Sequence, residues 1–258
     1  MFSVFFSFET TSAGVVFYYT FVLKKFTPGM TEQPEITILF QDEHLLVVDK
    51  PTQLPTHKSE GMPHDAPYLT KVLGQQLGCS IYNVHRLDAK TSGVMMVALT
   101  PDIARVLTEQ FAGKMVRKSY QAIVKGCPGD GVFDRKVKKA KHGNQVNAET
   151  EYRTLQTVTT DIDHKGQTAV QLSLMSLIPL TGRWHQLRQH CSQAWHDILG
   201  DSQHGDWGLN HIIEERTGVK RLYLHACELG FTHPVTQVPL DFQVPLPTDF
   251  EQVLSLFP

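Results

Sequence analysis

The feature that most constrains this chain is a junction. Residues His85 to Gly93 read His-Arg-Leu-Asp-Ala-Lys-Thr-Ser-Gly, with six polar or charged side chains in nine, and the apolar run Val94-Met95-Met96-Val97-Ala98-Leu99 follows at once. A run of that length, bounded by Gly93 and Pro101, has the size of a buried strand. The junction therefore sets a cluster of polar groups on the end of a core element, a rigid place for a site. Asp88 stands at its centre with Arg86 and Lys90 on either side. A solvated ion pair in a polar turn would satisfy the same residues, so the rest of the chain has to decide.

At 258 residues there is chain for one large domain, or two lobes sharing one sheet, and the 41% hydrophobic and 19% charged composition is that of an ordinary globular protein. The four cysteines, Cys79, Cys127, Cys191 and Cys227, form no C-x-x-C pair, which suggests free and mostly buried thiols in a reducing, cytoplasmic compartment. Residues 1–35 look unlike the remainder. Phe2–Phe8 and Val15–Leu23 are apolar and aromatic, but no positive charge precedes Lys24 and Thr20 interrupts the longer run. That fits neither a secretory signal nor a membrane span. The expectation is a disordered or mis-annotated extension with the natural start at Met30, and a catalytic domain over residues 36–258.

Along the chain, Ile36–Phe40 and Leu45–Asp49 read as a hairpin turning at Asp42-Glu43. Tyr68–Leu77 and Pro101–Phe111 have helical spacing, the second opened by its proline. Val116–Lys125, Glu149–Thr160, Gln167–Leu177 and Leu222–Phe231 are strand candidates. Arg183–Trp195 reads as a short helix, and Phe250–Phe257 as a terminal one. Strand and helix do not alternate strictly, which argues against a doubly wound fold. The expected class is α+β, with a mixed, mostly antiparallel sheet flanked by helices.

Charge is unevenly spread on a chain whose net charge is only −2. Between Lys114 and Lys141 stand nine Lys or Arg against Asp130 and Asp134. Lys136, Lys138 and Lys139 lie in the loop-rich stretch Cys127–Asn147. Such a band suits a polyanion docking on one face, and equally a solvated loop.

Thirteen histidines invite a metal hypothesis, but H-E-x-x-H is absent, and His185 and His190 are spaced for different helix faces. Phosphate-cradling glycine motifs and G-x-S-x-G are absent as well. No metal and no cofactor is expected. What remains is a lone carboxylate, Asp88, a set of arginines, and one candidate aromatic, Tyr120. Nearby positive charge keeps such an aspartate ionised. An ionised, partly desolvated aspartate is a competent nucleophile toward a sugar anomeric carbon or an activated ring. The basic groups would gather phosphates around it.

A series of blocks then falls in order. His85-Arg86-Leu87-Asp88-x-x-Thr91-Ser92-Gly93 resembles the signature of the RluA-type pseudouridine synthases. Asp42-x-x-Leu45-x-Val47-Val48-Asp49-Lys50-Pro51, Lys118-x-Tyr120-x-Ala122-x-Val124, and Thr181-Gly182-Arg183-x-His185-Gln186-x-Arg188-x-His190 are similar to its other motifs. Gly200-Asp201, Leu224-His225-Ala226 and His233-Pro234-x-Thr236 complete the series. The resemblance spans roughly Ile36 to Leu256.

It implies a pseudouridine synthase fold, with a bent sheet and a central active-site cleft, that isomerises uridine in structured RNA without metal or cofactor. It also implies Asp88 as the catalytic aspartate, acting at C1′, at the uracil ring or through a glycal. Tyr120 is implied to stack on the extruded uracil and serve as general base, and Arg183 to pair with the aspartate. Arg86 would fill the gap left by the flipped base, and Leu224 would close over the uracil. His85 and Arg188 fall on the substrate-binding side, with Gln186 and His225 behind them.

The Gly200–Asp206 block, with His204, is most similar to the branch that modifies uridine 65 of tRNA. The alternatives are a ribosomal-RNA enzyme of the same family, a non-catalytic RNA-binding protein, or a metal-dependent RNA hydrolase. Residues before Ile36 are too few for a separate RNA-binding domain, so the basic band is expected to grip RNA. Gln53 stands where glycine is common, and Ala89-Lys90 is an unusual filling of the signature. The partner is expected to be RNA, specifically tRNA, with no membrane, no obligate protein partner and a monomeric state.

Overall fold

The structure is a computed structural model. It describes residues 35–58 and 61–256 and, ahead of them, the paired strands β1 (Glu9–Thr10) and β2 (Val16–Phe17). Apart from those two strands, the expectations about residues 1–34 lie outside the described residues. The remaining elements are β3 (Thr37–Gln41), β4 (Leu45–Lys50), α1 (Leu69–Leu77), β5 (Tyr82–Asn83), β6 (Ser92–Ala98), α2 (Pro101–Ala112) and β7 (Arg117–Lys125). They continue with β8 (Asp130–Phe133), β9 (Val137–Lys138), β10 (Gln145–Val146), β11 (Thr150–Thr159), β12 (Gln171–Pro179), α3 (Gln186–Gln193) and α4 (Trp207–Thr217). The chain closes with β13 (Leu224–Thr232), β14 (Pro239–Gln243) and α5 (Thr248–Ser255). The class is α+β. Two compact units divide the chain, the first Met1–Arg117 with Glu228–Val244, the second Lys118–Cys227 with Pro245–Pro258.

In the first unit β4 pairs antiparallel with β3 on one edge and β6 on the other, Lys50 standing opposite Gly93. All seven residues of β6 are buried, as the continuous apolar run requires. The β3–β4 turn is built by Asp42, whose Oδ1 accepts from the backbone of His44 and Leu45, both at 2.8 Å. Its Oδ2 takes a 2.7 Å bond from His233, which fastens the β13–β14 turn to the same point. Helix α2 starts at the expected proline, with a cap beyond the expected signals. Pro101 opens it and the Thr100 hydroxyl accepts from the Ile103 amide.

The second unit is an antiparallel sheet in the order β7-β12-β11-β8. Side chains alternate across β7. Ala122 and Val124 pack with Met175, Leu177, Leu187 and Cys191, so α3 covers that face. Ile123 packs with Leu172, Leu174, Leu209, Ile213, Phe250 and Val253, so α4 and α5 cover the other. Within the stretch read as loop, strands β8, β9 and β10 form. Two cysteines, Cys191 and Cys227, are buried and two, Cys79 and Cys127, are exposed, which corrects the expectation of mostly buried thiols.

Candidate active site

Asp88 lies in the turn that leads into β6, half-buried, with its carbonyl accepting from the Thr91 amide at 3.1 Å. Three side chains, from the last residue of β4 and the segment after it, hold the neighbouring carbonyls. Thr56 Oγ1 donates to Leu87 at 2.9 Å, Lys50 Nζ to Ala89 at 3.2 Å, and Thr52 Oγ1 to Lys90 at 2.7 Å. Lys50 is fully buried and also donates to the carbonyls of Pro51 (2.8 Å) and Leu54 (2.9 Å). Its ammonium thus offers each of its three protons to a carbonyl, which is how a cation can sit in a core. Gln53 takes the left-handed conformation that glycine favours, φ +63°, so the turn keeps its geometry with a side chain in place. The backbone around Asp88 is therefore fixed by bonds to the carbonyls on either side of it.

His85 Nε2 accepts from the Met96 amide at 3.1 Å, and its ring stacks on Phe111 at 4.5 Å. That bond requires an unprotonated Nε2 and anchors the polar stretch to β6 and α2. Arg86 is exposed. Burial, with the charge of Arg86 beside it, holds His57 below the ordinary histidine pKa.

In the second unit Tyr120 is half-buried on β7 opposite Leu177, and it packs on the cluster that contains Leu224. Both therefore border the same apolar cluster. Lys118, two residues earlier and so on the same face of β7, has its Nζ beside Gly182, 3.6 Å from where a β-carbon would stand. Burial holds its pKa below the usual lysine range.

The segment Thr181–His185 is a turn and not the first turn of a helix. His185 occupies the N-cap in left-handed backbone, φ +48°. Gln186 builds the turn. Its Oε1 accepts from Thr181 Oγ1 (2.7 Å) and from the Arg183 amide (3.0 Å). Its Nε2 donates to Glu149 O (2.8 Å) and Thr150 Oγ1 (2.9 Å). Arg183 is exposed, with Nε 3.3 Å from the Asn147 carbonyl.

Arg188 is buried. Its Nε and Nη2 grip Asp201 at 2.7 and 2.8 Å, and Nη1 lies 3.0 Å from His185 Nε2. A guanidinium so committed orients His185 and the loop after Gly200 and does not face solvent. Burial pushes the Asp201 carboxyl upward, but the bond and charge of Arg188 outweigh it and hold the group below the carboxylate range. The arginine takes the acceptor role of His185 Nε2, so His185 Nδ1 carries the proton and donates to His204 Nε2 at 3.1 Å. Trp184 stacks on His185 at 3.9 Å.

Helix α3 also holds the basic stretch. Gln189 receives from the Lys138 amide (2.9 Å) and donates to the carbonyls of Lys138 (3.2 Å) and Trp184 (2.7 Å). Gln193 donates to Lys136 O (3.0 Å), and His190 to Arg135 O (2.9 Å). The side chains of Arg135, Lys136, Lys138 and Lys139 are exposed. The band is thus a backbone-registered row of cations. Thr52, Thr56 and Gln189 carry this architecture beside Lys50 and Gln186, and only the last two stood in motifs the sequence displayed. The available signals were a lysine inside an apolar strand and polar residues on the covered face of a helix.

A family model described as RNA pseudouridylate synthase matches residues 44–193. A tRNA pseudouridine synthase C of Pasteurella multocida (strain Pm70) is 38% identical over 233 residues, 86% of this chain and 96% of the relative. The protein of that name from Vibrio cholerae serotype O1 is 36% identical over the same shares of each chain. Among solved structures, Human RNA Pseudouridylate Synthase Domain Containing 4 is 28% identical, with a TM-score of 0.64 over 85% of this chain and 92% of that one. A second human structure, Domain Containing 1, shares the fold at 23% identity and a TM-score of 0.66, over 89% of this chain and 99% of that one. The clamped aspartate turn, the tyrosine strand and the arginine turn all lie inside the matched residues, and the chain belongs to the RNA pseudouridylate synthase family.

Proposed function

We propose that the chain isomerises uridine 65 of tRNA to pseudouridine, with Asp88 as nucleophile. The reaction breaks the N1–C1′ bond, joins C5 to C1′ and moves one proton from C5 to N1, so no atom enters or leaves. It needs no cofactor. The observation that carries the reading is the clamp on Asp88. Lys50, Thr52 and Thr56 immobilise the carbonyls around it, as a nucleophile held for attack requires. The names of the relatives support tRNA as the substrate class.

In this reading Arg86 fills the space of the flipped base with its planar guanidinium. Tyr120 stacks on the uracil and takes the C5 proton. Leu224 covers the ring, and Arg183 keeps the carboxylate ionised and oriented. Lys136, Lys138 and Lys139 meet the phosphates. His85 and Arg188 act behind the substrate, through the polar stretch and through His185. The enzyme works as a monomer in the cytoplasm.

Asp88→Asn is expected to abolish pseudouridine formation while tRNA binding persists; turnover near wild type would overturn the assignment. Arg183→Ala is expected to lower kcat at least a hundredfold with a smaller change in KM. Sequencing pseudouridine in tRNA from a deletion strain tests the position, and its retention at position 65 would refute that part. A basic surface that only binds RNA has no use for a carboxylate among its cations, since it repels phosphate.

A further inference from the structure

Helix α3 ends in a two-bond cap. The Trp195 amide donates to Ser192 O at 3.0 Å and the His196 amide to Cys191 O at 2.9 Å, so Trp195 occupies the left-handed position, φ +65°. Glycine is the usual residue there because it has no β-carbon to crowd the carbonyl. A bulky residue in that conformation is an outlier. Its ring gains nothing from the fold in return, since Trp195 is 81% exposed, the most exposed of the large apolar side chains among the described residues. Neither backbone nor core explains a tryptophan here, and strain of this kind marks functional positions.

Its surroundings are cationic. The Arg135 guanidinium donates to Gln193 O at 2.8 Å, and Gln193 Nε2 holds the Lys136 carbonyl at 3.0 Å, so both exposed cations are fastened to the last turn of α3. Lys138, Lys139 and Lys141 follow, with Asp134 the one acid between Val132 and Lys141. Two residues after the tryptophan, Asp197 is engaged by Lys125 Nζ at 3.5 Å. An exposed indole at a helix end to which cationic residues are fastened matches a nucleotide, whose base stacks and whose phosphate is attracted. A protein-docking face would need a contiguous apolar patch.

We propose that Trp195 is an RNA-contact residue, stacking on a base of the tRNA outside the reacting nucleotide. The proposal rests on the reading that Lys136, Lys138 and Lys139 bind tRNA. The test uses the full chain and an unmodified tRNA transcript. Trp195→Gly and Trp195→Asn both suit the left-handed backbone, so their Tm is expected to be no lower than wild type while tRNA affinity falls about tenfold, the scale of one lost base–aromatic stack. Trp195→Phe should stay within about threefold of wild type, because it keeps an aromatic face.

Wild-type affinity in the Gly and Asn variants would overturn the proposal, as would a marked loss of Tm in both. A wild-type dimer that dissociates in Trp195→Gly would assign the ring to self-association and overturn it too. The joint variant Lys136→Gln/Lys138→Gln/Lys139→Gln separates the two readings. If it binds weakly while the Trp195 variants bind normally, only the stacking proposal fails. If it also binds normally, the basic-surface reading fails.

Discussion

His190 donates from Nε2 to the backbone carbonyl of Arg135 at 2.9 Å, and its Nδ1 accepts from Thr150 Oγ1 at 2.9 Å. Thr150 Oγ1 in turn accepts from Gln186, the residue that shapes the Arg183 turn. One line of hydrogen bonds therefore runs from a proposed catalytic arginine to the first exposed cation of the proposed RNA surface. The position of one is mechanically tied to the position of the other.

That line makes stability depend on pH. Burial holds His190 below the ordinary histidine pKa, against weaker upward pulls from the Arg135 carbonyl and Asp134. The folded state therefore binds fewer protons than the unfolded chain. Its contribution is complete above about pH 6.5 and is lost as pH falls through that value toward the lower folded pKa. His57 is shifted the same way and adds to the slope. Thermal unfolding between pH 7.5 and 5.5 should show Tm falling with pH, and falling less steeply in His190→Asn. An identical slope in the variant would remove His190 from the account.

Lys50 stabilises a turn it does not belong to. Lys50→Met keeps the stem but strips a hydrogen bond from the carbonyls of Pro51, Leu54 and Ala89. Unfolding in urea should show a loss of about 2–4 kcal/mol. Activity should fall at least tenfold, mainly in kcat, because the turn carrying Asp88 loosens. Lys50→Arg should not rescue it, since a planar fork cannot replace three protons arranged around one nitrogen. Wild-type kcat in Lys50→Met would show that the clamp does not serve catalysis.

Strand β6 was legible because all seven of its residues are buried, so its apolar run is unbroken. Helices α1 and α2 showed their inward stripes, and α2 its proline start. Helix α4 was not legible as a period. Leu209 and Ile213 are its buried residues, Ile212 packs beside them only partly buried, and Trp207 at its first turn is 71% exposed. Its local signals, the Asp206 cap and Gly218 in left-handed backbone, were present but sit beside a conspicuous motif. The start of α3 was misplaced because Gln186 spends its side chain on the preceding turn, a tertiary arrangement that helical spacing does not encode. The burial of Arg188 was hidden for the same reason. Its partner Asp201 is supplied by the loop after Gly200.

The Arg188–Asp201 pair gives a sharp stability test. Arg188 is 4% exposed and Asp201 1%, so removing one partner strands a charge in a dry site. Arg188→Met should cost about 3–5 kcal/mol in urea unfolding. Arg188→Asp/Asp201→Arg should not recover it, since His185 Nε2 loses its donor in the exchange. A loss under 1 kcal/mol would mean that solvent reaches the pair.

The basic surface is tested by salt. Lys136, Lys138 and Lys139 are exposed, while their backbone is held by Gln189 and Gln193, so replacing all three by glutamine should leave the fold intact. If each meets one phosphate, the slope of log affinity against log salt should flatten by about 2 to 3, taking roughly 0.7 to 0.9 per contact. The loss should therefore be largest at low salt and shrink as salt rises. A parallel downward shift at every salt concentration would instead indicate a displaced surface with its phosphate contacts intact. An unchanged line would leave the lysines as a solvated hairpin and move tRNA binding to another face. Because Gln189 ties Lys138 to the carbonyl of Trp184, Gln189→Leu should weaken binding at every salt concentration with the slope nearly kept. The two variants together separate the charges that contact RNA from the side chain that aims them.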